Sequence, residues 1–246
     1  MSRNLHQQYY KEYFNGLDFS YLMGNGTAPD RVKNEIKRRN TALCEGNLLE
    51  KIPHVECVRE DQCFRLEILY PGLVTGIGIN HEAKIEGEFK LGVHFDWTYG
   101  MPVVYGSSVK GVLKSYFKEF YEQEDGWPSA GDAIKDIFEG EGKSIYNRDI
   151  FFDAAIIQAD SKGRILCSDS ITPHGDNPLK NPVPITFLKI APGCKLEFRF
   201  KLVDTVIVKE GKTLTLTAAQ KLDIFKEILT TVGIGAKTNV GYGQLK

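Results

Sequence analysis

The sequence has few of the patterns that mark metalloproteins, secreted proteins or membrane proteins. Its five cysteines are an odd number without zinc-site spacing, so we expect buried thiols in a reducing compartment: Cys44, Cys57, Cys63, Cys167 and Cys194. The first residues, MSRNLHQQYYKEYF, lack the apolar core of a signal peptide, and no run approaches about 18 apolar residues. These absences predict a cytoplasmic chain that does not engage a membrane.

The chain also has almost no excess of either charge, with a net charge of -1 over 246 residues. The total therefore gives no sign of a nucleic-acid partner, but the charge is unevenly distributed. Seven acidic residues and one lysine, Lys135, lie within residues 122–141, so the rest of the chain carries a net positive charge. That asymmetry leaves room for a basic face.

Residues 1–60 predict a polar, mostly helical N-terminal extension. Leu5, Tyr9 and Tyr13 recur with helical spacing, and Gly16 can end that helix. The later segment DRVKNEIKRRN, residues 30–40, holds five basic residues. It is either the solvated face of a helix or a patch that contacts RNA or protein.

From residue 63 the apolar period becomes two, which is typical of strands. The segments CFRLEILY and EFKLGVHF alternate in this way, and DIFFDAAIIQAD is apolar enough for a buried strand. The segment GRILC, residues 163–167, is a candidate to pair with that buried strand. The segment ITFLKIAPGCKLEFRFKLV predicts two strands joined by the turn APGC.

Two amphipathic helices alternate with these strands. The first carries apolar residues from Val109 to Phe120 at helical spacing, and the second follows Thr217 as N-cap and runs to Val232. The order from residue 63 is therefore βαββαβ, which predicts an α+β, ferredoxin-like fold in a single domain of residues 1–246. In its RNA-recognition (RRM-like) form, this fold presents an open sheet face to RNA.

The start of the first helix, VYGSSVKGVLKSYF, places Lys110 where the helix dipole disfavours a cation. If Ser107 or Ser108 caps this helix, the first N–H groups and Lys110 are suited to hold a phosphate between them. The alternative is that Lys110 simply extends into water. A nucleotide-binding P-loop is excluded, because its hydroxyl residue must follow the lysine and here both serines precede it.

The C-terminal segment GIGAKTNVGYG has four glycines around Lys237, Thr238 and Asn239. Thr238 breaks the G-x-G-x-x-G pattern of dinucleotide sites, and the segment follows a helix rather than a strand. The glycines allow a partner to approach the backbone closely, so the loop suits a phosphodiester chain. A structural turn into an edge strand is equally compatible with them.

A third segment, SDSITPH, offers Asp169, Thr172 and His174. His174 beside an aspartate is a candidate general base, but a hydrogen-bonding role in a loop is the commoner use of such a histidine. Asp153, within an apolar strand, is expected at the end of the strand or paired with a lysine. No segment supplies a nucleophile, a metal cluster or a cofactor motif, so we predict no catalytic residue, metal or cofactor.

Together these segments resemble the RAMP superfamily of CRISPR-associated RNA-binding proteins, over residues 63–246. The first matches the G-S-S-x-K-G helix start of that family, and the last matches its glycine-rich loop. The middle stretch, DSITPH followed by NPVPITFLKI, looks like the sixth subunit of the type III-B Cmr effector complex. The resemblance implies a ferredoxin-like, non-catalytic subunit that assembles along a CRISPR guide RNA and holds its 3′ part. Guide RNA and other Cmr subunits are the implied partners, with target RNA as a further candidate.

The resemblance also implies RNA contacts for particular residues. These are Gly106, Ser107, Ser108, Lys110, Gly111 and Lys114 at the first helix, His174 in the middle loop, and Gly233, Gly235, Lys237, Thr238, Asn239, Gly241 and Gly243 in the last loop. Lys114 stands where the family commonly has arginine, so it keeps the charge and loses bidentate phosphate geometry. Two alternatives remain open: a metal-independent CRISPR-RNA endoribonuclease with His174 as general base, and a protein scaffold without RNA contact.

Overall fold

The computed structural model of the chain describes residues 4–24, 26–45, 59–76, 83–89, 92–172 and 184–246. Its α-helices are α1 (Leu5–Gln7), α2 (Asp30–Glu45), α3 (Gly106–Phe120), α4 (Ala130–Ile134) and α5 (Ala218–Val232). Helices α1 and α4 continue as π-helical segments, Gln8–Glu12 and Lys135–Glu139. The strands are β1 (Cys63–Glu67), β2 (Val103–Val104), β3 (Ile150–Phe151), β4 (Ala154–Gln158), β5 (Leu166–Ile171), β6 (Ile185–Ile190), β7 (Lys195–Lys201), β8 (Thr205–Lys209) and β9 (Lys212–Leu216).

The main sheet has the strand order β1–β7–β4–β2, and β3 also pairs with β7. All of these pairs are antiparallel. The C-terminal residues continue the sheet beside β1, because Glu67 and Lys246 exchange both backbone hydrogen bonds and Ile68 bridges Leu245. The protein is thus a mixed α/β structure built on antiparallel sheets.

Helices α3 and α5 cover one face of the main sheet through aromatic side chains. The ring of Phe225 in α5 lies 5.4 Å from Phe200 in β7 and 6.3 Å from Phe117 in α3, measured between centroids. Both helices follow their predicted apolar periodicity. Thr217 forms the predicted N-cap as part of a capping box with Gln220, which satisfies two backbone donors at the start of α5.

The opposite face of β7 carries charge. Glu197 is fully buried between two guanidinium groups, with Arg65 Nε at 2.8 Å and Arg199 Nε at 2.7 Å from its carboxylate oxygens. Because Glu197 and Arg199 are both buried, this face is covered at β7. The open sheet face of the RNA-recognition form of this fold is therefore not present at β7, although Arg65 beside it on β1 is nearly half exposed.

The N-terminal helices share one apolar core with the sheet. Leu5, Tyr9 and Tyr13 are buried on the predicted face, and Ile36 of α2 joins the same core. The Tyr13 hydroxyl lies 2.5 Å from Asn40 Oδ1 and accepts a hydrogen bond from the backbone N–H of Phe89 at 3.1 Å. The division into a domain and an N-terminal extension stays a prediction.

Three strand predictions need correction. In EFKLGVHF the described residues 92–94 belong to no strand, although Phe89, Val93 and Phe95 are buried, and Phe95 makes a single bridge to Pro102. The segment GRILC leads into β5, which pairs with β6 rather than with β4. Strands β6 and β7 do flank the turn APGC, but they lie in different sheets.

A hairpin that sequence analysis did not identify connects β8 and β9. Glu210 and Gly211 form its two-residue turn with φ of 52° and 73°, as a type I′ turn requires. Within the described ranges, no helix is both long enough and apolar enough to cross a membrane.

Candidate nucleic-acid interface

Helix α3 begins at Gly106, one residue before the two serines. Tyr105 is its N-cap and makes no side-chain capping hydrogen bond. The prediction that Ser107 or Ser108 caps the helix is therefore wrong, because both lie inside its first turn. Ser107 is exposed and Ser108 is half-buried, so the first turn is accessible from solvent.

The anion at the start of α3 belongs to the chain itself. The backbone N–H of Gly106 donates to Asp153 Oδ1 at 2.7 Å. Asp153 lies between β3 and β4, where Asp153 and Ala154 together oppose the single residue Phe198 of β7. Such a bulge re-aims a side chain, and here it directs the carboxylate toward the positive end of the helix dipole.

Lys110 lies one turn into the helix, against the same strand. Its ammonium is 5.8 Å from the centroid of the Phe151 ring, a distance at which the ring face attracts a cation. Gly106 must lack a side chain, because a Cβ there would meet the backbone of Phe151 and Phe152. Among the described residues Lys110 forms no ion pair, so its charge is open to an external anion.

Gly111 and Lys114 lie on the exposed side of α3. A Cβ at Gly111 would meet open space, so nothing in the packing requires glycine there. Lys114 Nζ lies 3.1 Å from Glu139 Oε1, and both side chains are nearly half exposed. A surface pair of this kind contributes at most about 1 kcal/mol, so Lys114 can exchange Glu139 for a phosphate.

The glycine-rich loop (residues 233–243) begins where α5 ends. Gly233, Gly235, Gly241 and Gly243 all have positive φ, between 72° and 95°. A Cβ at Gly233 would lie 2.5 Å from the Gly243 carbonyl oxygen, and one at Gly235 would collide with the Val74 carbonyl. Close backbone packing therefore accounts for Gly233, Gly235 and Gly243, as the structural interpretation of the loop requires, whereas at Gly241 only the positive φ favours glycine.

The tip of this loop is the part left for a partner. Thr238–Val240 form a single 3-10 turn, and Lys237 before it has a left-handed backbone with φ of 63°. Asn239 is exposed, whereas Lys237 and Thr238 are half-buried. In the part of the chain that the structure describes, Lys237 makes no salt bridge.

A continuous set of contacts joins the loop to the start of α3. The N–H of Ala236 donates to the Val74 carbonyl at 2.8 Å, so the segment 72–76 runs along the loop. At its other end, a Cβ on Gly76 would lie 2.6 Å from Nε2 of His94. The His94 ring stacks on Tyr105, with centroids 4.5 Å apart and planes 19° apart. The two predicted segments are therefore parts of one region.

His94 is the residue of this region that sequence analysis missed. Its backbone N–H donates to Thr75 Oγ1 at 2.7 Å, and its Nδ1 is buried without a hydrogen-bond partner among the residues that the structure describes. Burial lowers the pKa of His94 below its usual value of 6.5, which favours the neutral ring. In the alternating segment EFKLGVHF, His94 falls on the polar side opposite Phe89, Val93 and Phe95, so the pattern predicts a solvent-facing residue and gave no signal for its role.

Asp169 lies beneath the glycine-rich loop in a polar network. Its Oδ2 accepts hydrogen bonds from Lys189 Nζ at 2.5 Å and from the Tyr242 hydroxyl at 2.8 Å. Burial opposes ionisation, but the hydrogen bonds from Lys189 and Tyr242 outweigh it and lower the pKa of Asp169. This carboxylate therefore fastens β5, β6 and the loop together. His174, the candidate general base, lies outside the described residues.

The basic helix α2 directs most of its charge at the chain itself. Arg38 and Arg39 both pair with Glu35 at 2.7 Å, and Lys33 lies 3.5 Å from Glu86. Arg39 also donates to three backbone carbonyls in the N-terminal segment. These contacts favour the structural interpretation of residues 30–40 over a nucleic-acid patch.

Comparison with known proteins identifies the family. Residues 22–246 match the RAMP superfamily. The chain belongs to the RAMP superfamily. The match begins well before residue 63, so it includes helix α2, which the resemblance of the motifs did not reach. No curated protein sequence matches the chain.

Solved structures include several that resemble this RAMP-superfamily chain. A chain of the type III-B Cmr-beta complex bound to cognate target RNA is 20% identical with a TM-score of 0.51, over 75% of this chain and 57% of that one. This protein thus spans little more than half the length of that relative, with which it shares the fold. Cmr6 from Pyrococcus furiosus also matches, with 20% identity and a TM-score of 0.36, over 74% of this chain and 96% of that one. A chain of the type III-B Cmr-beta complex in its apo state matches with 13% identity and a TM-score of 0.42, over 75% of this chain and 96% of that one.

Eleven of the fourteen predicted residues of this RAMP-superfamily chain fall into two groups; Gly235 is exposed, Gly241 is half-buried, and His174 lies outside the described residues. Those with accessible side chains or backbone near the surface are Ser107, Ser108, Lys110, Gly111, Lys114, Lys237, Thr238 and Asn239. The buried Gly106, Gly233 and Gly243 instead shape the backbone that presents them. The candidate interface is therefore a lysine-bearing surface on a glycine-shaped support.

Proposed function

We propose that this protein is an RNA-binding subunit of a type III-B CRISPR (Cmr) ribonucleoprotein that acts in antiviral defence in the cytoplasm. It holds the 3′ part of the guide RNA and contacts other Cmr subunits, with target RNA as a second RNA contact. One observation carries the proposal: the first turns of α3 and the tip of the glycine-rich loop belong to one contact region, and each offers a lysine without a described ion pair. Membership of the RAMP superfamily supports it.

We also infer that the main sheet is the ferredoxin-like βαββαβ core. The spatial order of the strands supports this inference: the C-terminal residues lie beside β1, β1 beside β7, and β7 beside β3 and β4. Helices α3 and α5 both lie on one face of that sheet. Strands β5 and β6 and the β8–β9 hairpin are then insertions between core elements.

The protein holds RNA rather than cleaving it in this proposal. Asp169 supports that view, because both of its carboxylate oxygens already accept hydrogen bonds within the fold, Oδ2 from Lys189 and Tyr242 and Oδ1 from the N–H of Ser170. Incubation with CRISPR repeat RNA in the presence of EDTA tests it. Cleavage that disappears in a His174→Ala variant would establish the endoribonuclease instead.

The experiment for RNA binding measures fluorescence anisotropy of a labelled single-stranded RNA against the purified full chain. We expect weak affinity with little sequence preference and a clear loss as salt rises, because phosphate contacts release counterions. Lys110→Glu and Lys237→Glu should each weaken binding by roughly tenfold at low salt. Lys212→Glu changes an exposed lysine of the β8–β9 hairpin, outside the proposed surface; it is the matched control and should bind as the wild type does.

Equal effects of all three variants would indicate non-specific charge attraction and count against the assigned surface. Unchanged affinity in both Lys110→Glu and Lys237→Glu would show that the assigned surface does not bind RNA. If ultraviolet crosslinking of the native complex finds no RNA on this subunit, the protein is a scaffold and the proposal is wrong.

A further inference from the structure

The side chain of Tyr70 is the most exposed aromatic group beside the glycine-rich loop. It is 86% exposed, although most large apolar residues of the chain are buried or half-buried. Single exposed apolar residues are common on protein surfaces and need no function. What distinguishes Tyr70 is the backbone that carries it and the site that it adjoins.

Tyr70 stands in a turn that is fixed on both sides. The N–H of Leu69 donates to the Gln244 carbonyl at 2.9 Å, and the N–H of Gly72 closes the turn onto Leu69 at 2.9 Å. Leu73 and Ile190 then exchange two backbone hydrogen bonds. An aromatic ring on so restrained a backbone has lost part of its conformational freedom before any partner arrives.

The same turn is attached directly to the glycine-rich loop. The N–H of Gly243 donates to the Gly72 carbonyl at 2.8 Å, and a Cβ on Gly241 would be 3.8 Å from Pro71 Cδ. Within the loop, the N–H of Tyr242 donates to the Lys237 carbonyl at 3.3 Å, so the residues that adjoin this turn also contact Lys237. Tyr70 thus lies next to the loop tip that presents Lys237.

We propose that Tyr70 is a stacking platform for one unpaired base of the RNA whose backbone is held at Lys237. The inference rests on the proposed RNA-binding function and adds a base contact to its phosphate contacts. Aromatic side chains beside a basic groove take bases of any sequence, because every base offers a π-face. The platform therefore contributes affinity for single-stranded RNA without selecting a sequence.

The test compares two RNAs of equal length, one with all bases present and one with abasic sites, in anisotropy titrations of the full chain. Tyr70→Ala should bind the intact RNA roughly tenfold more weakly and bind the abasic RNA as the wild type does. Tyr70→Phe and Tyr70→Trp keep a π-face and should retain affinity. Tyr146→Ala removes a tyrosine of similar exposure (78%) elsewhere on the surface and should change neither titration.

A second readout uses RNA that contains 2-aminopurine, whose fluorescence is quenched on stacking. Quenching by the wild type that is lost in Tyr70→Ala supports the platform. Equal affinity of Tyr70→Ala and wild type for intact RNA, within twofold, overturns it and leaves the Lys237 phosphate contact standing.

Two further outcomes separate the platform from the function beneath it. If the wild type binds neither RNA, the proposed function falls and the platform falls with it. If Tyr70→Ala binds RNA normally but no longer co-purifies with neighbouring subunits, Tyr70 contacts protein and the stacking proposal is wrong.

Discussion

The Asp153 carboxylate accepts a hydrogen bond from the backbone N–H of Gly106, at the first residue of helix α3. The position that favours an anion is thus already occupied by the chain. A phosphate that approaches α3 is therefore expected to meet the side chains of Lys110 and Lys114 rather than the end of the helix. The unfavourable placement of Lys110 along the dipole is offset locally by Asp153 and by the Phe151 ring.

We predict opposite effects of Asp153 on stability and on RNA binding. Asp153→Ala removes the acceptor at the helix N-terminus and should lower the free energy of unfolding by about 1 kcal/mol, measured by urea denaturation. Asp153→Asn retains an acceptor without the charge, so it should cost less stability and raise RNA affinity severalfold at low salt. Asp223→Asn, an exposed acid on α5, is the control; a rise in affinity there too would show a general charge effect.

Two glycines with positive φ should respond very differently to alanine. Gly235→Ala adds a Cβ that collides with the Val74 carbonyl, so it should destabilise the protein by about 3 kcal/mol or more through strain and overpacking. Gly211 in the β8–β9 turn also has positive φ, but its surroundings are open, so Gly211→Ala should cost only about 1 kcal/mol. Similar shifts in denaturation midpoint for both variants would contradict the close packing of the loop.

Glu197 makes the protein sensitive to acid. Burial favours its neutral form, but hydrogen bonds from Arg65 and Arg199 outweigh burial and lower its pKa below the ordinary 4.5. A lowered folded-state pKa gives stability that is complete above pH 4.5 and is lost as pH falls through the folded value. We expect thermal midpoints of the wild type to fall steeply below that pH.

Glu197→Gln isolates this contribution. The variant should lose about 3 kcal/mol at pH 7, because it leaves the buried guanidinium group of Arg199 without its counter-charge. Its midpoint should then change less between pH 5 and pH 3 than that of the wild type. A parallel acid dependence of the two proteins would assign the effect to other carboxylates.

His94 should impose a second pH dependence, nearer neutrality. Because burial lowers its pKa, the unfolded chain binds more protons just below pH 6.5, and stability falls as the pH decreases through that range. His94→Phe keeps a ring against Tyr105 and removes the titration, so its stability should be flat between pH 7 and pH 5.5 apart from other groups. His94→Ala should weaken RNA binding as well, since it loosens the contact between the loop and α3; unchanged affinity would separate the two halves of the site.

The sequence was informative where structure is local. The apolar spacing of Val109, Leu113 and Phe117 and the capping pair of Thr217 and Gln220 each involve residues within one helix, and both predictions were confirmed. Pairing of β6 was not predictable in this way, because the choice between β5 and β7 depends on burial across the whole molecule. Glu210 and Gly211 lie side by side in the chain and form the turn of the β8–β9 hairpin, which the sequence analysis did not predict.

The candidate site divides in the same manner. The lysines and glycines were predicted from their positions along the chain, and their contact with RNA stays a prediction. Asp153 binds the N–H of Gly106, which lies 47 positions earlier in the chain. His94 stacks on Tyr105, the N-cap of α3. No pattern within either segment specifies those contacts, so only the folded chain shows that Asp153 occupies the helix end and that His94 joins the two motifs.

Tyr13 links the N-terminal helices to the backbone of Phe89, more than seventy residues later in the chain. A ribosome makes the N-terminal residues first, so Tyr9 and Tyr13 lack the rings they pack against, Phe95 and Phe89, until those residues have emerged. These helices therefore cannot complete their folding during early synthesis. The growing chain must keep an aromatic surface from aggregating before the rest of its core exists.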